Sequence, residues 1–134
     1  MPGVLIVTHG DLATALMSTL GMILGETEGL SAVSLMSKDS LETLQAKMEK
    51  ALQKVDPQGK GSLILVDMLG GTPFNCAMQL AASRKIRVLT GVNLPMLFKV
   101  VSHREESDLE KLTLEVQKAS RESILTSMEL MKKP

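Results

Sequence analysis

With 134 residues the chain has room for a single domain with its own core, so one domain over residues 1–134 is expected. Hydrophobic residues make up 44% of it and no low-complexity run interrupts it, which excludes a disordered chain. Fifteen basic residues balance fifteen acidic ones without a basic stripe, and Phe74 and Phe98 are the only aromatics. A nucleic-acid binder would need that electrostatic footprint and a stacking platform, so no nucleic-acid partner is expected.

Cys76 is the only cysteine, so an intramolecular disulfide and a cysteine-based zinc site are both excluded. The N-terminus has no basic region, and its apolar run is too short for a signal peptide. The stretch from Leu12 to Leu24 falls short of a membrane span. A soluble, cytoplasmic protein is the expectation.

In chain order, Val4-Leu5-Ile6-Val7 lies between Gly3 and Gly10 and predicts a strand buried on both faces. Thr8 and His9 then stand where that strand gives out. Asp11 is placed to cap a helix carrying Leu12, Leu16, Leu20, Ile23 and Leu24, with Gly25 as its stop. Leu30 to Met36 reads as a less apolar strand nearer an edge. Asp39 with Glu42 has the spacing of a capping box for a helix with Leu41, Leu44, Met48 and Leu52 on one face. That helix ends by Pro57.

Gly59-Lys60-Gly61 turns the chain into Ser62–Val66, a second strongly apolar strand that ends at Asp67. In Gly70-Gly71-Thr72-Pro73, Thr72 suits an N-cap and Pro73 the first helical position. Phe74, Ala77, Met78 and Ala81 form the stripe of the next helix. Ile86–Thr90 is the fourth strand, and a short helix runs from Pro95 to about Ser102. Ser107 with Glu110 opens a helix through Leu109, Leu112, Val116 and Ala119. From about Ser123 to Met131 the apolar pattern fits a strand and a continued helix equally well.

Repeated strand–helix alternation predicts an α/β fold: a doubly wound, mainly parallel sheet with helices on both faces. A 2-1-3-4 strand order sets strands one and three side by side. His9 and Asp67 then emerge from adjacent strand ends, beside a glycine-rich helix start. An imidazole whose proton is held by a carboxylate keeps its other nitrogen free to act as nucleophile or base. Backbone N–H groups around Gly70, Gly71 and Thr72, at a helix N-terminus, favour an anion, and the Thr8 and Thr72 hydroxyls add donors. Together these suggest phosphoryl transfer through phosphohistidine.

Each part also has a plainer meaning. His9 fits a satisfied structural histidine, Asp67 a helix cap, and Gly-Gly-Thr-Pro a simple strand-to-helix turn. His103, next to Arg104 and two glutamates, reads as a solvated helix-end residue, and the methionines as core filler. Gly59-Lys60-Gly61-Ser62 precedes a strand instead of coming after one, so it is no phosphate-binding P-loop. Thr8 stands where histidine phosphatases have arginine, and the acidic magnesium ligands of a receiver domain are missing after strand one.

Val7-Thr8-His9-Gly10, Val66-Asp67-Met68-Leu69-Gly70-Gly71-Thr72-Pro73-Phe74-Asn75 and Gly91-Val92-Asn93-Leu94-Pro95-Met96-Leu97 each come directly after a predicted strand. In this order they resemble the mannose-family enzyme IIA of the bacterial phosphoenolpyruvate-dependent sugar phosphotransferase system (PTS), over nearly the whole chain. The resemblance implies that His9 accepts a phosphoryl group from the phosphocarrier protein HPr and passes it to a IIB component. Membrane subunits carry the sugar, so membrane contact is indirect. Asp67 matches the carboxylate beside the family's active histidine, and Thr72 stands where many members have serine. The family is known as a homodimer that exchanges a C-terminal strand, which favours an antiparallel edge strand over about Ser123 to Met131. Any IIB is expected on a separate chain. No metal or cofactor is needed if backbone donors hold the phosphoryl oxygens. Met68 and Leu69 suit partner contact and loop packing equally.

Two other functions compete with this one. A regulatory module would use the phosphorylation state of His9 to control binding of another protein, with the same chemistry. A small hydrolase would turn His9 and Asp67 on a phosphate ester, but no second catalytic histidine or metal cluster stands beside them.

Overall fold

The computed structural model describes residues 1–132. Strands β1 (Gly3–His9), β2 (Leu30–Leu35), β3 (Ser62–Val66) and β4 (Ile86–Leu89) form one sheet in the order β2-β1-β3-β4. All three pairings are parallel, so each connection needs a crossover helix. The helices are α1 (Leu12–Leu24), α2 (Leu41–Val55), α3 (Gly71–Ala81), α4 (Leu94–His103), α5 (Leu109–Glu122) and α6 (Ser127–Met131).

Alternation along the central strands splits the core in two. Leu5, Val7, Ile64 and Val66 face α2 and α3, packing on Leu44, Met48, Ala77 and Leu80. Val4, Ile6, Leu63 and Leu65 face the other way, onto α1, α4 and α5. Both faces are covered, which is why these strands read as unbroken apolar runs.

Helix starts differ from the sequence expectations by a residue or two. Ser40, not Asp39, caps α2: its hydroxyl accepts from the Thr43 amide at 3.2 Å, and the Thr43 hydroxyl accepts from the Ser40 amide at 2.8 Å. Asp39 instead closes the preceding turn by accepting from the Met36 amide at 2.8 Å. Asp108 caps α5 by accepting from the Lys111 amide at 2.8 Å, displacing Ser107, which is buried. Adjacent residues offer the same spacing in two registers, and the spacing alone cannot choose between them. At α3 the cap position is Gly70, not Thr72; Gly70 and Gly71 at φ +82° and +84° turn the chain into the helix early.

In α1 the buried stripe is Ala13, Leu16, Met17 and Leu20, while Leu12, Ile23 and Leu24 are exposed. No charged residue lies between Leu12 and Leu24, so the sequence offers two apolar stripes and marks neither as outer. Asp11 stands at the cap of α1 but makes no capping bond. The fully buried Thr8 hydroxyl does that work, accepting from the Ala13 amide at 2.8 Å. Thr8→Val keeps the shape but leaves that amide without an acceptor. A loss of about 1–2 kcal/mol is expected, read as a lower urea midpoint with an unchanged slope.

The expected C-terminal edge strand does not form. Residues Ser127–Met131 make the short helix α6, capped by the Thr126 hydroxyl, which accepts from the Glu129 amide at 3.1 Å. A strand must borrow backbone partners from a neighbour, whereas a helical turn supplies its own. In one chain the helix therefore wins, and Ile124, Leu125, Met128, Leu130 and Met131 all lie exposed.

Candidate active site

Strand β1 ends at His9 and β3 at Val66, one residue before Asp67. The two strands are neighbours, with Val7 opposite Val66, so both side chains rise from the same lip of the sheet. One carboxylate oxygen of Asp67, Oδ2, accepts two bonds from His9: from the backbone amide at 2.9 Å and at the ring nitrogen Nδ1 at 2.8 Å. The other oxygen accepts from the Met68 amide at 3.0 Å. Asp67 thus grips His9 at its backbone and at its ring.

The Asp67 side chain is only 13% exposed, and burial by itself favours its neutral form. The amide and imidazole of His9 outweigh that cost and hold the carboxyl below its usual 3.8. An ionised Asp67 can only accept, so Nδ1 carries the proton it donates. The lone pair of the neutral ring is then on Nε2. The His9 side chain is 49% exposed, so the ring is within reach of an incoming protein.

Gly71 opens α3 directly beside this ring. A Cβ at Gly71 would lie 3.2 Å from His9 Cε1 and 3.5 Å from Nε2, whereas one at Gly70 would meet nothing within 4 Å. Both glycines have positive φ, so alanine at either is strained by about 1–2 kcal/mol. Gly71→Ala alone also crowds the Cε1–Nε2 edge of the ring. Rates of reaction at His9 Nε2, compared at matched stability, are expected to fall for Gly71→Ala and to hold for Gly70→Ala.

The first amides of a helix have no intrahelical acceptor, and at the start of α3 they are those of Gly71 and Thr72. Gly71 starts the helix beside the Cε1–Nε2 edge of the ring, and a helix N-terminus favours negative charge. Thr72 is half-buried in that first turn. The Thr8 hydroxyl, by contrast, is buried and spent on α1, so it can act on an anion only by fixing the end of β1. Met68 and Leu69 are exposed on the loop between β3 and α3. His103 lies in the last turn of α4 and lines a hollow with Leu24, at the far end of α1 and away from His9.

Sequence reasoning misses two features of the site. The Gly71 contact with the ring has a faint signal, a double glycine that precedes a helix so closely. The Gly10 amide, which donates to the Leu35 carbonyl at 2.8 Å and pins the loop after His9 to β2, leaves no sequence signal. Among the described residues, no group of three or more His, Cys, Asp or Glu side chains could hold a metal ion.

A sequence profile for the family described as PTS system fructose IIA component matches residues 3–117. The fructose-specific EIIA component of Bacillus subtilis (strain 168) is 37% identical over 134 residues, 99% of this chain and 91% of that protein. The mannose-specific EIIAB component of Escherichia coli (strain K12) is 38% identical over 104 residues, 77% of this chain. That match takes in only 32% of the EIIAB protein, so the chain spans about a third of its length.

Among solved structures, the EIIA component from Streptococcus agalactiae superposes with a TM-score of 0.85 at 32% identity, covering 94% of this chain and 97% of that one. The mannose/sorbose-specific IIA subunit from Enterococcus faecalis gives 0.85 at 28% identity, covering 93% of each. The sheet order, the strand-end pair and these likenesses agree: the chain belongs to the mannose-type IIA family of phosphotransferase-system components.

Proposed function

We propose that this protein is a phosphohistidine carrier: His9 accepts a phosphoryl group from phospho-HPr at Nε2 and hands it to a histidine of a IIB component during sugar uptake. The observation that carries the reading is the 2.8 Å contact between Nδ1 of the half-exposed His9 ring and a largely buried, ionised Asp67. The Nε2 lone pair attacks phosphorus while the donor's P–N bond breaks, its electron pair returning to the donor ring. Positive charge grows on the His9 ring as the new bond forms. Asp67, already in contact with the Nδ1 proton, balances that charge. Transfer to IIB runs the same steps in reverse.

The amides of Gly70, Gly71 and Thr72 and the Thr72 hydroxyl hold the phosphoryl oxygens, with Thr8 as a support behind them. This leaves no step that requires a metal or cofactor. The chain works as one cytoplasmic carrier domain, as a homodimer, and meets the membrane only through the transporter. No helix among the described residues is long and apolar enough to cross a membrane. Met68 and Leu69 sit on the approach to His9 and meet the protein partners.

The test is incubation with phosphoenolpyruvate, enzyme I and HPr. One phosphoryl group per chain is expected, labile to acid and stable to base, and chased off by the cognate IIB. Label that appears without HPr, or that resists acid, would overturn the assignment.

A further inference from the structure

At the opposite edge of the sheet from β4, strand β2 pairs with β1 alone. The carbonyls of Gly29 and Leu35 point inward, accepting from the Val4 and Gly10 amides at 3.0 and 2.8 Å. Alternation along the strand therefore turns the backbone groups of Ala32 and Ser34 outward. The Ser34 carbonyl confirms this direction, since it accepts from the Lys47 ammonium at 3.2 Å across the edge. Among the remaining outward groups, the Ala32 N–H and C=O and the Ser34 N–H have no partner among the described residues and form an open ladder.

A row of cations flanks this ladder. Lys47, Lys50 and Lys54 succeed one another at spacings of three and four along α2, on one helix face. With β2 they line a hollow of about 310 Å³. Lys47 is paired with Asp39 at 2.6 Å. Lys50 and Lys54 are exposed and form no ion pair among the described residues. The hollow thus combines unpaired sheet hydrogen-bonding groups with unbalanced positive charge.

We propose that the β2 edge and the α2 lysine row form a docking groove for an extended, acidic segment of a partner protein, which joins the sheet as an outer strand. Main-chain bonds to Ala32 and Ser34 supply the pairing. Acidic side chains at every second position of the added strand reach Lys50 and Lys54, and the intervening ones face α1. Lys47 gives up the Ser34 carbonyl to the incoming strand and turns its charge to the same segment. The groove is separate from His9, so this inference stands whether or not the carrier function does.

Lysines beside an edge strand can also serve only to repel unwanted pairing, and the experiment separates the two roles. The probe is the blocked peptide Glu-Val-Glu-Thr-Glu-Val-Glu, titrated into the full chain and monitored by amide NMR and hydrogen exchange. Saturable shifts confined to β2 and the flanking faces of α1 and α2 are expected, with slowed exchange at the Ala32 and Ser34 amides. Binding should vanish for the same peptide N-methylated at alternate residues, a change that leaves the protein untouched. It should weaken by about tenfold in the double variant Lys50→Glu, Lys54→Glu.

No saturable shift up to millimolar peptide would overturn the proposal, leaving the lysines as guards of the edge. Undiminished binding of the N-methylated peptide, or undiminished binding by the double variant, would overturn it equally. So would protection of Ala32 and Ser34 that rises with protein concentration alone, because a second copy would then occupy the edge.

Discussion

Replacing His9 with alanine is expected to abolish phosphoryl uptake from phospho-HPr, with no residual slow phase. His103, the other histidine, lines a hollow at the far end of α1 and cannot substitute, so His103→Ala should label like the wild type. The His9 side chain is half exposed, and its backbone amide keeps its 2.9 Å bond to Asp67 after the ring is removed. Stability should therefore stay within about 1 kcal/mol of the wild type. Full labelling of His9→Ala would move the phosphoryl site elsewhere; a denaturation curve measured alongside distinguishes lost chemistry from lost fold.

Asp67→Asn is expected to slow transfer by between about 10² and 10⁴ while leaving the fold intact. An amide in place of the carboxylate can still accept from the His9 amide, so the loop stays in place. It carries no charge to set against the cation that forms on phosphorylation, and with its oxygen on the His9 amide and Nδ1 its NH2 faces the Met68 amide, so that bond is lost. Rapid-quench transfer from phospho-HPr measures the effect, and an unchanged rate would reduce Asp67 to a cap of the β3–α3 loop.

The same residue carries a pH signature. Its folded-state value lies below the ordinary 3.8, so the carboxylate stabilises the fold above that pH, and the gain disappears as pH falls through the depressed value. Wild type and Asp67→Asn should differ in stability at neutral pH and converge in strong acid.

Much of this arrangement is legible in the sequence because burial on both faces leaves a plain signal. Val4–Val7 and Ser62–Val66 could only be central strands, and central parallel strands set the residues at their carboxyl ends, His9 and Asp67, on one lip of the sheet. Contacts distant in sequence, or local ties, decide the features that the sequence hides. Asp39 and Ser40, like Ser107 and Asp108, are equal on spacing, and the choice falls to how the preceding turn packs. Thr8 looks like a ligand because its hydroxyl sits next to His9, yet alternation along β1 turns it inward to Ala13.

The C-terminal segment shows a different limit. Its alternating and helical patterns overlap, and the family resemblance favours a strand that only a second chain could pair. Within a single chain Thr126 caps a helical turn instead.

The decisive measurement is the position of phosphate on the ring, read by nitrogen and phosphorus NMR of the protein phosphorylated through HPr and labelled with ¹⁵N at histidine. With the Nδ1 proton held by Asp67, phosphorus should couple to Nε2 of His9, and the Nδ1–H signal should persist. Phosphorus found on Nδ1, or on any residue other than His9, would contradict the account.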